Sequence, residues 1–460
     1  MKKVILVLMA LLTGSASLFA QEKLVLSLDS AKHYALEYNK TLIKSGLSIQ
    51  AAQAQLWQAI AQGLPQVSGT VDYTNYFNYT MDFGSSAGGG LGMQLPEIPE
   101  LSTESVGKIF GVFGDLFSNI GSSKMKDVST AKLQVSQLIF SGNYWVGIEL
   151  SKMAKQIAET QKMRSELEVK QTVSTAFYNV LMAEEVKGIV MKNLDNLRDI
   201  YRKTEATFKA GVAEETDVDQ LMVQVMTMET TLKSTERNIE LAYNMLRLQL
   251  GTGSNVEIEI VGNLNDAVKD VNIGNMLEKD LNMDANIDYK LMKQQVDIMG
   301  KQVNLQKWSY APTIAGFYNY TYKIRTSGLD MTPPHVIGLT ANIPIFSSGD
   351  RYKKVAEAKI NLKSAEVEAE NIADQLTIQE KQLRFNLQNA YDQYLTQQKN
   401  VSTSRKVFNS MQVKYDQGVI SSLDLTTANT NYLQAENSYI SAKLNLMQAQ
   451  VELEKLLGIL

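Results

Sequence analysis

Proline placement sets the strongest limit on how this chain folds. All seven prolines sit at 65, 96, 99, 312, 333, 334 and 344, and none falls between 100 and 311 or after 344. The proline-free tracts are rich in Ala, Gln, Lys and Glu, the conditions under which a helix continues without interruption. The expected helices cover about 28–62, 143–210, 215–250, 284–309, 349–416 and 421–457. The two longest hold roughly 68 residues, about 100 Å at 1.5 Å per residue, and need coiled-coil-like support. Their apolar stripe is narrow. Leu167, Val173, Phe177, Val180, Leu181, Ile189, Leu194, Leu197, Tyr201 and Phe208 stand among Gln, Asn, Ser and Thr. Such a stripe suits pairwise seams in a hollow assembly better than a fully buried bundle.

Strands are expected where the prolines cluster, at about 66–80, 130–140, 312–323 and 335–346. Each has roughly the 9–11 residues that cross a bilayer when tilted, and Tyr, Phe and Trp gather in and beside them, as in an interfacial girdle. Between the first two strands, residues 81–127 hold nine of the 28 glycines, with Pro96 and Pro99. No strand–loop–helix with a following Lys-Ser/Thr surrounds these glycines, so a surface insert accounts for them better than a phosphate loop.

At the N-terminus Lys2 and Lys3 precede the apolar run Val4–Leu12 and then small residues, the order of a cleaved secretory signal over residues 1–20 with Gln21 first in the mature chain. Nine apolar residues are too few for a membrane helix, which needs roughly 20. A mature chain that enters a membrane must do so as strands. There is no cysteine, which excludes disulfides, thiolate chemistry and an acylated N-terminal cysteine. The only histidines are His33 and His335, far apart in sequence. Removal of residues 1–20 leaves 43 basic against 49 acidic side chains, or −6. That balance disfavours nucleic acid, and no candidate catalytic constellation or cofactor site is apparent. The 20 methionines are scattered in the manner of gap fillers.

The chain also repeats itself. Asn39 lies 26 residues before Pro65, and Asn286 lies 26 before Pro312. Ile139-Phe140-Ser141-Gly142 reappears as Ile345-Phe346-Ser347-Ser348-Gly349. Gly211-Val212 with Asp217 returns 207 residues on as Gly418-Val419 with Asp424, and Leu250-Gly251 as Leu457-Gly458. The expected organisation is two repeats, 21–262 and 263–460, each reading helix, strand, loop, strand, long helix, tight turn, helix. The helical hairpins span 143–250 and 349–457. Gly211 and Gly418 end the long helices as left-handed caps, and Thr216, Asp217, Ser421, Ser422 and Asp424 can cap or begin the return helices.

The opening L-S-L-D-S-A-K-H-Y-A-L-E-Y-N, the strands led by Pro65 and Pro312, the strand exits at Phe140 and Phe346, and the turns A-G-V-A-E-E-T-D and Q-G-V-I-S-S-L-D together resemble the TolC-like outer-membrane efflux protein family. The resemblance covers essentially all of the mature chain. It implies a mainly α fold with a membrane β part: a long α-helical coiled-coil barrel plus a trimeric 12-stranded β-barrel, four strands per chain. Four strands cannot close a membrane barrel by themselves, so several chains must share one. The implied function is a passive exit duct of a tripartite efflux pump for small molecules, in the outer membrane with a periplasmic extension and no lipid on the N-terminus. Its partners would be two further copies, a periplasmic adaptor, an inner-membrane RND or ABC transporter, and outer-membrane lipid. A type I protein secretion duct and a periplasmic coiled-coil adaptor are the alternatives. By the same resemblance Asp424 would join an acidic ring at the periplasmic aperture, and Tyr415 would hydrogen-bond to Asp217. Ile420 and Thr427 stand where a well-known member carries an arginine and an acidic residue.

Overall fold

A computed structural model describes residues 23–82, 104, 108, 112, 122–269, 273–326 and 332–460. The export signal at 1–20 and the greater part of the 81–127 insert lie outside the described residues. The chain divides into two compact units, which cut across the two expected repeats.

The helical unit comprises residues up to 53, 153–299 and 361–460. It opens with β1 (Leu24–Leu26), α1 (Leu28–Tyr38) and α2 (Lys40–Ala61). The expected single helix over 28–62 is therefore broken at Asn39, whose backbone is extended (φ −63°, ψ 128°). The long hairpin arms α3 (Gly142–Lys209) and α4 (Glu215–Leu250) follow, then β4 (Ile258–Ile260), α5 (Leu264–Lys269), α6 (Ile273–Glu278), a 3-10 turn (Met283–Ala285) and α7 (Ile287–Trp308). The second hairpin is α8 (Asp350–Asp416) and α9 (Ser422–Leu457). β1 and β4 pair in parallel, Leu24 opposite Ile258. Arg384 on α8 holds the end of α6 by donating to the carbonyls of Met276 (3.2 Å), Leu277 and Lys279, while Glu380 holds its guanidinium at 2.7 Å.

The apolar stripe of α3 is buried as its spacing requires. Val173, Phe177, Val180 and Leu181 pack with Leu246 and Leu250 of α4, Leu387 of α8 and Leu446 and Leu453 of α9 in the main core. A second, smaller core lies between the hairpin ends and is built from Ile200, Leu221, Phe408, Leu425, Ala428 and Tyr432. Phe208, at the end of the same stripe, stays exposed.

The strand unit, 54–152 and 300–360, holds a four-stranded antiparallel sheet in the order β2 (Gln66–Asp82), β3 (Ser122–Phe140), β5 (Thr313–Arg325), β6 (His335–Asn342). Pro65 and Pro312 each stand immediately before a strand, where a missing N–H costs no ladder bond. Two boundaries differ from expectation by more than two residues. β3 begins at Ser122 rather than 130, because the ladder with β2 continues to Asp82–Ser122. Residues 122–127 thus belong to a strand and not to the insert. β6 stops at Asn342 rather than 346, because its partner β5 starts only at Thr313, opposite Asn342. Phe140 closes β3 opposite Ile314, whereas Phe346 lies past its strand and is 85% exposed.

Candidate functional site

The register gives the sheet two chemically different faces. Val67, Val71, Leu133, Val135, Ile337 and Leu339 fall on one. Ser68, Thr70, Gln134, Asn319, Thr321 and Thr340 fall on the other. Among the described residues nothing covers the apolar face, with Val71 74% and Ile337 84% exposed. A soluble sheet buries its apolar side; here that side is exposed. Tyr73, Tyr320, Tyr322 and His335 continue the apolar face at the end where β5 leads to β6, and the Tyr318 hydroxyl sits 2.8 Å from His335 Nδ1. From Ile314 to Tyr322 the strand covers about 27 Å at ~3.4 Å per residue, roughly 20 Å of height at the usual tilt of about 40°. Among the described residues β2 and β6 each pair with one neighbour, which leaves both lateral edges of the sheet open.

The helical turns follow one plan used four times. Gly211, Gly251, Gly418 and Gly458 all have φ between 69° and 80°. In each, the glycine N–H donates to the carbonyl three residues back, and the next N–H to the carbonyl five back (Gly211 to Phe208, Val212 to Thr207; Gly418 to Tyr415, Val419 to Lys414). This is the Schellman closure, and it satisfies the last free carbonyls of each helix. The helix starts beyond the turns differ. Ser421 and Asp424 form a reciprocal capping box, with the Ser421 hydroxyl donating to Asp424 Oδ2 at 2.7 Å and accepting from the Asp424 N–H at 3.2 Å. Glu214, at the matching place in the first hairpin, makes no such side-chain bond; Thr216 donates to Glu214 Oε2 at 3.3 Å and Asp217 lies in the first turn.

Tyr415 does not reach Asp217. Its hydroxyl pairs with Thr204 Oγ1 at 2.6 Å, because the Tyr415 ring packs against the smaller core one turn before the bend. Ile420 packs against the same core, and Thr427 donates back to the Leu423 carbonyl of its own helix. Next to the Thr204–Tyr415 pair, Lys203 meets Asp416 at 2.7 Å, and that carboxylate, followed by Asp199, raises the Lys203 pKa above the usual lysine value.

These contacts are the last rungs of a polar ladder joining α3 to the second hairpin. Lys455 donates to Gln171 (2.7 Å), Lys443 to Glu185 (2.8 Å) and Asn193 to Asn429 (3.1 Å). Lys443 is only 1% exposed and also lies 4.4 Å from the Tyr439 ring. Burial, then a hydrogen bond with Tyr394, pushes the Tyr439 phenol up to about 12. None of these rungs was anticipated, since isolated polar residues in a helical pattern carry no signal of their partner.

Two duplicated features had a legible signal. Asn39 and Asn286, 5% and 7% exposed, each donate their amide to a carbonyl near the end of a return helix, Gln249 at 2.5 Å and Leu456 at 3.1 Å. Each also accepts from the N–H two residues on, Thr41 and Asp288. Arg198–Glu229 (2.6 Å) recurs 207 residues later as Arg405–Glu436 (3.4 Å), now with Tyr432 between them, its hydroxyl accepting from Arg405 Nε at 2.8 Å.

His33 is exposed on α1. Among the described residues no group of three or more His, Asp or Glu is placed to hold a metal ion, and no helix is long and apolar enough to cross a membrane.

Compared with known proteins, residues 32–252 and 285–459 match the family model of the outer membrane efflux protein. The Outer membrane protein TolC of Escherichia coli is 22% identical over 357 residues, covering 73% of this chain and 70% of that protein. Among solved structures, the Campylobacter jejuni CmeC outer membrane channel superimposes with a TM-score of 0.67 at 17% identity, over 94% of this chain and 85% of the other. The outer membrane protein VceC of Vibrio cholerae gives 0.68 at 15%, over 94% and 96%.

Proposed function

We propose, because this chain belongs to the outer membrane efflux protein family, that three copies share one twelve-stranded barrel in the outer membrane and extend it as a helical duct. The duct would be the passive exit of a tripartite pump for small molecules, driven by an inner-membrane RND or ABC transporter through a periplasmic adaptor. The observation that carries this reading is the two-faced sheet with both edges open. An apolar outer face suits lipid, a polar inner face suits water, and unpaired edge strands are tolerated in a membrane only where another chain closes them.

Asp217, Asp424 and Tyr415, with the turns at Gly211 and Gly418, would stand at the periplasmic aperture. Asp424 would serve both as helix cap and as one carboxylate of a ring, while the Thr204–Tyr415 and Lys203–Asp416 contacts would hold the two hairpins of a chain together there. Two tandem repeats, 21–262 and 263–460, would each supply one hairpin and two strands.

The absence of native cysteine makes the shared barrel directly testable. Thr70→Cys on the β2 edge, combined with Thr340→Cys on the β6 edge (with Ser68 and Asp72 as alternates for register), should give an oxidation-dependent covalent trimer in the outer-membrane fraction. Cross-linked dimers alone, or recovery in the soluble periplasmic fraction, would contradict the reading.

A further inference from the structure

The two halves of the sheet match down to the register. The offsets are 247 residues from Pro65 to Pro312 and 206 from Phe140 to Phe346. Carried across them, the pairs Gln66–Ser136, Val67–Val135 and Ser68–Gln134 become Thr313–Asn342, Ile314–Ala341 and Ala315–Thr340, the pairs that β5 and β6 make. Gly69 and Tyr73 fall on Gly316 and Tyr320. The remaining seam, β3 with β5, joins the second strand of the first half to the first strand of the second. Its counterpart would join β6 to the β2 of another copy, and among the described residues those two edges are open. Past β6 the chain is apolar and bare, with Ile345 93% and Phe346 85% exposed. Phe140, at the matching place in the first half, is half-buried opposite Ile314.

We propose that β6 of one copy pairs antiparallel with β2 of the next in the register that β3 and β5 show, and that residues 343–346 become strand only against that neighbour. The inference rests on the shared-barrel reading and adds which residues meet. The β3–β5 ladder runs Leu133–Tyr320, Gln134–Asn319, Val135–Tyr318 and Ser136–Phe317. Across the same offsets it sets Leu339 opposite Tyr73, Thr340 opposite Asp72, Ala341 opposite Val71 and Asn342 opposite Thr70 of the neighbouring copy. The irregularity between Leu138 and Phe140 would recur at Ile345, leaving Phe346 opposite Val67. The faces then agree without adjustment. Leu339, Ala341, Val71 and Tyr73 belong to the apolar face, and Thr340, Asn342, Thr70 and Asp72 to the polar one. A slip of one residue would set apolar side chains against polar ones along the whole seam, so the nearest rivals are slips of two. One of these puts Thr340 opposite Thr70 and carries Phe346 past Pro65, beyond the start of β2. The other puts Thr340 opposite Thr74 and drives the start of β6 onto the break in β2 between Asn75 and Tyr79. In hydrocarbon a bare strand edge is not tolerated, and the proposed register pairs the greatest length of both edges.

The experiment compares initial rates of disulfide formation in the full-length protein in outer-membrane fractions. Directly opposite residues have Cα atoms about 4.5–5.5 Å apart, inside the disulfide range of about 4.4–6.8 Å, whereas diagonal ones at about 7–8 Å fall outside it. Thr340→Cys with Asp72→Cys, and Asn342→Cys with Thr70→Cys, should form covalent trimer fastest. Thr340→Cys with Thr70→Cys or with Thr74→Cys should be slower by at least about ten-fold and close only on prolonged oxidation, because bridging a diagonal strains both strands. Amide hydrogen exchange of the unsubstituted trimer gives a reading that needs no variant. Residues 343–347 should exchange as slowly as their counterparts 137–141. Fastest closure of Thr340→Cys with Thr70→Cys or Thr74→Cys would overturn the inference and leave the shared barrel standing. So would free exchange over 343–347 in a trimer that protects 137–141. Cross-links from none of the four pairs, with the protein recovered as monomer, would remove the shared-barrel reading and this inference with it.

Discussion

Replacing Glu185 by leucine should open the helical unit locally, and the size of the effect follows from the surroundings of Lys443. The lysine is 1% exposed on α9. Its ammonium has two sources of relief, the Glu185 carboxylate at 2.8 Å and the Tyr439 ring at 4.4 Å. Stranding a buried charge costs about 3–5 kcal/mol. The ring returns about 1–2 kcal/mol of that when desolvated, which leaves a loss of about 1–4 kcal/mol per chain. Lys443→Met removes the other partner, but Glu185 keeps 27% of its side-chain surface in water and can hydrate, so that loss should stay near 1–2 kcal/mol. The double variant removes both charges and should lie within about 1 kcal/mol of wild type, because a buried pair exchanged for well-packed apolar groups is close to neutral. Amide hydrogen exchange over residues 436–450 reads the local opening free energy directly. Exchange there should accelerate by roughly 5- to 700-fold in Glu185→Leu, at a factor of ten per 1.4 kcal/mol, and return nearly to wild type in the double variant. The reasoning fails if the two single losses simply add, or if Glu185→Leu costs no more than Lys443→Met.

Three further outcomes follow from the geometry. Asn286→Ala leaves the Leu456 carbonyl without its donor and the Asp288 N–H without its acceptor; local stability by hydrogen exchange should fall by about 1–3 kcal/mol, and Asn39→Ala should behave alike against Gln249. Gly211→Ala meets only open space and should cost about 1–2 kcal/mol for its left-handed backbone, whereas at Gly251 the added Cβ would lie 2.2 Å from the Tyr38 carbonyl oxygen. Gly251→Ala should therefore lower the melting temperature much further, and equal shifts would count against the clash. The Tyr439 phenol, held up to about 12 against an ordinary 10.0, favours the folded state while protonated. Its contribution is complete below pH 10 and lost as pH rises through about 12; in an ultraviolet tyrosinate titration, Tyr439→Phe should delete one late-titrating phenol.

Much of this architecture is written in residues whose effect is local. Pro65 and Pro312 fix strand starts, the glycines at 211 and 418 fix the bends, and the recurrence at an offset of 207 exposes the paired hairpins before any contact is known. What the sequence hides depends on pairing. The true ends of β3 and β6 are set by where the partner strand stops, which no pattern within 122–140 or 335–346 records. β1 and β4, three residues each, are too short to show alternation. The bond of Tyr415 to Thr204 illustrates the same limit at the candidate site: a resemblance supplied a partner, Asp217, but which hydroxyl or carboxylate lies across the seam is decided by packing of the aromatic ring. Asp424 was legible as a cap because Ser421 stands three residues before it, and its carboxylate does close that box.

The four glycine-closed bends have a bearing on how such a protein can change over generations. Each bend is held by two main-chain bonds and a single residue able to take a left-handed backbone, so the shape makes almost no demand on the side chains that follow. Val212, Ala213 and Glu214 in one hairpin and Val419, Ile420 and Ser421 in the other share a common path while differing in charge, bulk and polarity. Mutation can therefore rewrite the chemistry presented at the bends without disturbing the course of the chain.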